Sequence, residues 1–364
     1  MLYNFSNISS GGGVQVSLSL IEYFLNDKIL RDNHYLFSKK LFDILENSNI
    51  NLDNINYKIS NSFFSKIIYL TFNNHRVIYT VFGPTYAIKF SDKKWINGFA
   101  QPWILFPNND VYQDLSFFSQ IQFKIKFFIQ KKFYQMSNIL IVEHNFVRQQ
   151  LESIIKNKKI IVAENSINQC FMKPGSWKEI HLKKSSKKKI GIIGSGYIHK
   201  NLKIIPEVKK LLFDLHKIDA EFYVTLPNTD YRLLGNNFTE SVINLDVLQI
   251  EECPSFYSKM DLIFLPTKLE CFSATILESV FMKKPIVCAD YVFNNYIDSG
   301  LIYHYNKNNY VDASNQIEKA LNRNNNDNEQ KLQYIIKRFN SSNRFKIIKQ
   351  TLLKHLNNKQ KLNS

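Results

Sequence analysis

The sequence predicts an α/β protein in two parts, each a parallel sheet with helices on its faces. Short β-branched and aromatic runs alternate with helical patterns along most of the chain. That alternation is interrupted once, by "MKPGSWKEIHLKKSSKKK" at 172–189, and then resumes. A length of 364 residues is ample for two domains with separate cores. Because ligand-binding loops gather at strand ends in such sheets, a cleft is expected between the halves.

In the first half, "VQVSLSLIEYFLND" (14–27) follows three glycines with helical apolar spacing. "KIIYLTF" (66–72) and "RVIYTVFG" (76–83) are short, β-branched and aromatic, and read as strands. "NILIVEH" and "KIIVAEN" are two more strands, separated by the helical "NFVRQQLESIIKN". The interruption at 172–189 reads as an interdomain linker. The second series runs "KIGIIGSG", a helix from about Asn201, "AEFYVTLP", "DLIFLPT", "PIVCAD" and "GLIYHY". "NRNNNDNEQ" (322–330) reads as a loop before terminal helices.

Composition narrows the function classes. Hydrophobic residues at 45 %, with 29 Phe and 19 Tyr, exclude a wholly disordered chain. Lys and Arg number 47 against 31 Asp and Glu, a formal charge of +16 that favours polyanionic partners: phosphates, nucleic acid or an acidic membrane face. The four cysteines, at 170, 253, 271 and 288, form no C-x-x-C and join no His cluster, so no metal is expected and buried or free thiols are. The N-terminus lacks the charged and apolar regions of a secretory signal, and no window is apolar enough to span a bilayer. A cytoplasmic location is expected.

Three features could carry chemistry. Gly-rich turns precede helices at Gly11–Gly13 and at Gly194–Gly196, where backbone amides can approach an anion, though a plain tight turn explains either equally well. Lys200 stands four residues past Gly196, at the expected helix start, within reach of a phosphate. In "LECFSATILESVFMKKPIVCAD", Glu270 falls in the loop after a buried strand and Glu278 a turn into the following helix, with the amides near Phe272 and Ser273 between them. The alternatives are a capping box, Thr275-x-x-Glu278, and a surface loop acid at 270. The third is "FFSQIQFKIKFFIQKKFYQ" (117–135), which has Lys124, Lys126, Lys131 and Lys132, no acid and seven aromatics. It fits a helix, or in part a strand, and either lies on an anionic membrane or packs its Phe stripe inward.

Taken together, "PTKLECFSATILESVFMKKPIVCAD" resembles the E-x7-E signature of the retaining, group 1 glycosyltransferases of the GT-B fold. "SSGGGVQVSLSLIEYF" resembles their N-terminal Gly-rich loop and helix, and "GYIHKNLKIIPEV" their phosphate-binding lysine segment. The resemblance implies two Rossmann-like domains: an acceptor domain at 1–171, a linker at 172–189, a nucleotide-sugar domain at 190–340, and a C-terminal helix at 341–364 returning to the first domain. It implies that Glu270 binds hydroxyls of the donor sugar and Glu278 the ribose. Lys200 would neutralise the leaving diphosphate, helped by backbone at Cys271, Phe272, Ser273, Gly12, Gly13 and Gly196. Where many members carry Arg, five or six residues before the lysine, this chain has Ser195 and Gly194, and His199 is the candidate replacement for the missing charge.

"VFGPTY", including Gly83, with "NGFAQPWILFP" resembles a subgroup that builds bacterial lipopolysaccharide or capsule. That implies a nucleotide-sugar donor, a lipid-linked glycan acceptor met by Gly83 and the four lysines, no cofactor or metal, and peripheral association with the inner face of the cytoplasmic membrane. Base recognition is expected between Thr225 and Ser258. The rival readings are a basic nucleic-acid-binding protein, for which no RNP, KH or helix-turn-helix pattern focuses the charge, and an inactive relative that binds sugars.

Overall fold

The structure, a computed structural model, describes residues 1–9, 11–48, 50–53, 55–90, 92–323 and 329–356. The chain divides into two compact units. The first comprises Met1–Pro107, Ser116–Ser166 and the chain from Asn340 onward; the second comprises Asn108–Leu115 and Ile167–Phe339.

The first unit holds a seven-stranded parallel sheet of β1 (Leu2–Phe5), β2 (His34–Ser38), β3 (Asn56–Ser60), β4 (Val77–Thr80), β5 (Lys94–Phe99), β6 (Ile139–Val142) and β7 (Lys159–Val162). Their spatial order is β3-β2-β1-β4-β5-β6-β7. β1 and β4 are buried along their whole length, as central strands covered on both faces must be. Register places Tyr3 between Tyr35 and Tyr79, and the Tyr3 ring packs 4.4 Å from Phe24 of the helix Gly12–Asn26.

The helix Ser341–Leu356 inserts Phe345, Ile348 and Leu352 into this same core. Its buried Arg344 donates to Asn165 at 2.7 Å and pairs with Glu143 at 3.2 Å. Residues 357–364 of the expected terminal helix lie outside the described residues, as do 324–328 of the Asn-rich stretch; Glu329–Arg338 is helical.

The second unit holds a six-stranded parallel sheet: β8 (Lys188–Ile192), β9 (Ala220–Val224), β10 (Val242–Asn244), β11 (Leu262–Leu265), β12 (Ile286–Ala289) and β13 (Ile302–Tyr305), ordered β10-β9-β8-β11-β12-β13. Its core gathers Phe256, Ile263, Ile276 and Ile286 with Phe171 and Ile180.

Four expectations are corrected. The run 66–72 is not a strand but part of the helix Phe63–Phe72, started by a capping box between Ser62 and Ser65. Lys66, Leu70 and Thr71 point inward at helical spacing, and a short apolar run cannot by itself separate the two structures. The segment 172–189 is not a free linker, because Ile180 is buried in the second unit's core and Trp177 Nε1 donates to the Cys170 carbonyl at 2.8 Å. The unit boundaries accordingly fall at 166/167 and 339/340. The helix expected from Asn201 starts at Ile205, after 3-10 turns at Ile198–Lys200 and Leu202–Ile204 separated by a left-handed Asn201 (φ 55°).

One feature had no counterpart in the sequence reading. Asn108–Leu115 leaves the first unit in mid-sequence and packs with the second as a short strap. It is held by an Asp114–Lys268 ion pair at 2.8 Å and by the Tyr291 hydroxyl donating to Asp110 at 2.8 Å.

Candidate active site

β8 and β11 are parallel neighbours, so the loops leaving their C-terminal ends emerge side by side. The first carries Gly194, Gly196, His199 and Lys200; the second carries Lys268 to Ser273. The Lys268 amide donates to the His199 carbonyl at 2.8 Å, stitching the loops together. This topology brings Lys200 and Glu270 into an ion pair between Nζ and Oε1. Both side chains are largely buried, at 19 % and 10 % exposure, so Glu270 is not a surface loop acid. The cation here precedes the helix by five residues and acts through its own side chain, not from a helix start.

Glu278 lies in the helix Ala274–Phe281, buried to 7 % exposure. The capping-box alternative is excluded: Ser273 is the N-cap, no side chain caps it, and the Glu278 carboxylate instead accepts from the Tyr257 hydroxyl at 2.7 Å. Burial raises the Glu278 carboxyl from its ordinary value to about 7, with the Tyr257 hydrogen bond opposing part of that rise. Tyr257 reaches it from the helix Cys253–Lys259. That helix can press onto β8 because residue 191 is glycine: a Cβ there would stand 2.6 Å from Met260 and 2.8 Å from Phe256.

The loop between the two acids is firmly seated. Phe272 packs 4.5 Å from the Tyr296 ring, and the Tyr296 hydroxyl donates to the Ser273 carbonyl at 2.6 Å. Cys271 and Ser273 are buried. Gly196 is required by close packing, since a Cβ would lie 2.7 Å from the Asp230 side chain.

His199 does not supply the missing positive charge. Burial, and to a lesser degree the adjacent Lys200 charge, lower its imidazole to about 3, so it is neutral at pH 7.

Gly12 and Gly13 belong to the first unit, where Gly11 (φ 65°) is the N-cap of the helix Gly12–Asn26 and no side chain caps it. Gly83 adopts φ 87°, and a Cβ would meet the Asn7 amide at 2.7 Å. Asn7 donates to the carbonyls of Phe82 and Pro84 on either side of it, so the turn itself accounts for this glycine.

Residues 117–135 form one helix, Phe117–Gln135. Its inward face is narrow, with only Phe127 and Tyr134 fully buried. The expectation that an ordinary helix would turn its Phe stripe into the core fails, because Phe117, Phe118 and Phe128 are 60–77 % exposed. Lys124, Lys126 and Lys132 are exposed and Lys131 is half-buried.

Tyr257, Lys268 and Asp114 were missed by the sequence reading. Tyr257 falls within the stretch expected to line the cleft, but nothing in its neighbours marks its hydroxyl as a partner of Glu278. Among the described residues no group of three or more His, Cys, Asp or Glu is placed to hold a metal ion.

No family model matches the chain, and no curated protein matches its sequence. Solved structures do match it over nearly its full length. A glycosyltransferase from Rickettsia africae ESF-5 aligns at 15 % identity with a TM-score of 0.66, covering 98 % of both chains. Sucrose-phosphate synthase from Thermosynechococcus elongatus aligns at 10 % identity, TM-score 0.67, again with 98 % of both chains covered. The trehalose-6-phosphate protein from E. coli bound with UDP-2-fluoro glucose aligns at 9 %, TM-score 0.62, with the same coverage. Two parallel α/β units, matched end to end by these structures, define the GT-B fold expected from the sequence. At such identities the likeness is one of fold.

Proposed function

We propose that this chain is a retaining glycosyltransferase that moves a sugar from a nucleoside-diphosphate donor to a lipid-linked glycan at the inner face of the cytoplasmic membrane, in bacterial lipopolysaccharide or capsule synthesis. The observation that carries the transfer reading is the buried Lys200–Glu270 pair, with Glu270 eight positions before the buried Glu278, at the C-terminal edge of a parallel sheet. Three structural neighbours are named for transfer of, or binding to, sugars, and one of them holds UDP-2-fluoro glucose.

In this reading the donor diphosphate takes Lys200 from Glu270, which frees that carboxylate to accept hydrogen bonds from sugar hydroxyls. Glu278, oriented by Tyr257, accepts from the ribose. The bond between the anomeric carbon and the diphosphate oxygen breaks, and its electron pair leaves on the diphosphate beside Lys200. The acceptor hydroxyl bonds to that carbon from the same face, and its proton passes to the departing phosphate oxygen. No protein nucleophile is assigned. Gly12, Gly13, Gly196 and the backbone of Cys271, Phe272 and Ser273 are assigned to the donor, with His199 retained as a neutral neighbour of Lys200. Gly83 and the lysines of Phe117–Gln135 are assigned to the acceptor side.

The test is thermal stabilisation by a panel of UDP-, GDP-, ADP- and CMP-sugars, with Glu278→Ala in parallel. A donor at about a hundred times its Kd stabilises the folded state by roughly 2.7 kcal/mol. One responding nucleotide, lost in the variant, supports the proposal. If none responds while RNA does, the donor reading fails.

A further inference from the structure

We propose that the helices Phe63–Phe72 and Phe117–Gln135, joined by residues 86–90, form a single footing that seats the first unit on an anionic lipid bilayer. This extends the membrane location proposed above to a defined surface. It draws on no donor-site residue, so either proposal can fail alone.

The helix Phe117–Gln135 is apolar on two opposite sides. Phe127 and Tyr134 face inward, while Phe118, Ile121, Ile125, Phe128 and Ile129 are 40–77 % exposed and fall on one continuous outer face at 3.6 residues per turn. A helix dissolved in water has no reason to carry such a face. The helix Phe63–Phe72 repeats the pattern, with Phe64, Ile68 and Phe72 in an i, i+4, i+8 row at 59–76 % exposure.

The two helices are tied together within the same unit. Tyr86 packs edge-on to Phe63 at 5.4 Å and to Phe133 at 5.1 Å. Lys89 donates to the Met136 carbonyl at 2.6 Å, and the Ile88 amide donates to Thr71 Oγ1 at 3.1 Å. Ile88 and Phe90 add their own exposed side chains, at 63 % and 45 %, between the helices.

Charge identifies the occupant. Residues 63–72, 86–90 and 117–135 contain no Asp or Glu. Of their lysines, Lys124, Lys126 and Lys132 are exposed, Lys89 and Lys131 are half-buried, and Lys66 points inward to donate to Asn7 Oδ1 at 3.0 Å. Lys132 lies over the exposed Phe128 ring at 5.2 Å, so its stem runs along the aromatic surface and its amine sits at the border. Apolar side chains ringed by lysines, with no acids, match an acyl region beneath anionic headgroups. A second copy would bring the same exposed lysines against themselves, which disfavours self-association through this face. No described helix is long and apolar enough to cross a membrane, so the footing lies in the interface.

The test is flotation of the whole protein with vesicles of phosphatidylglycerol and phosphatidylethanolamine, and with pure phosphatidylcholine, without any substrate. Binding is expected to the anionic vesicles, and each lysine-to-glutamine change at 124, 126 or 132 should weaken it on the order of fivefold. The double variant Phe64→Ser/Phe118→Ser changes two exposed side chains and should float at least about tenfold less, with an unchanged melting profile. Absence of binding to anionic vesicles overturns the proposal, as does equal flotation of wild type and double variant. So does a wild-type dimer that becomes monomeric in the double variant without vesicle binding, because the face would then be a self-interface.

Discussion

Replacing Glu278 by glutamine should make the protein more stable, and increasingly so as pH rises. The folded carboxyl titrates near 7, against an ordinary value of 4.5, because it is buried. Between those values the unfolded chain has lost the proton and the folded chain keeps it, so the unfolded state binds fewer protons and stability falls as pH rises. Well above pH 7 both states are ionised and the cost is constant. For these two values the linkage cost is on the order of 1 kcal/mol at pH 5 and on the order of 3 kcal/mol at pH 8. Glutamine never ionises and can still accept from Tyr257. The stability advantage of Glu278→Gln over wild type should therefore grow by on the order of 2 kcal/mol between pH 5 and pH 8. Urea unfolding of both proteins at several pH values measures it, and groups unaffected by the substitution cancel in the difference. An advantage that does not change with pH would refute the assignment of a buried, proton-retaining carboxyl. In a donor-binding assay the same variant should lose affinity, separating what the acid costs the fold from what it gives the site.

Tyr257→Phe removes the hydrogen bond that favours the ionised Glu278. Its Glu278 should titrate above 7, and a pH series of donor binding by calorimetry should show the alkaline rise shifted upward. Arg344→Ala leaves Glu143 buried without its cation and should cost about 3–5 kcal/mol in urea unfolding, with the helix Ser341–Leu356 becoming protease-sensitive first. Lys200→Met should lower kcat by at least about a hundredfold in a transfer assay; a variant of near-normal rate would remove Lys200 from the leaving-group role.

The α/β alternation and the two acids were legible because both are local. A parallel strand buried on both faces is a continuous apolar run, and an E-x7-E straddling a strand-to-helix loop can be read from spacing. Locality also explains the errors. Residues 66–72 look like a strand because β-branched and aromatic side chains suit either structure, and the Ser62–Ser65 cap lies just outside the run. Thr275 and Glu278 have capping-box spacing, yet the helix begins after Ser273 and the acid is engaged by Tyr257, 21 positions earlier in the chain. His199 looked like a spare cation until its burial was known. Nothing within 108–115 marks it as part of another unit, since its partners, Lys268 and Tyr291, are 154 and 181 residues distant.

That strap limits how the protein can be taken apart. The second unit excised at 167 and 339, the obvious cut for building a chimaera, would leave Asp110 and Asp114 behind. Lys268, two positions before Glu270, would then lose the carboxylate that it pairs with in the intact chain. The second unit is therefore not a cassette that ends at a single boundary. A graft must carry residues 108–115 along with it, or supply an acid of its own opposite Lys268.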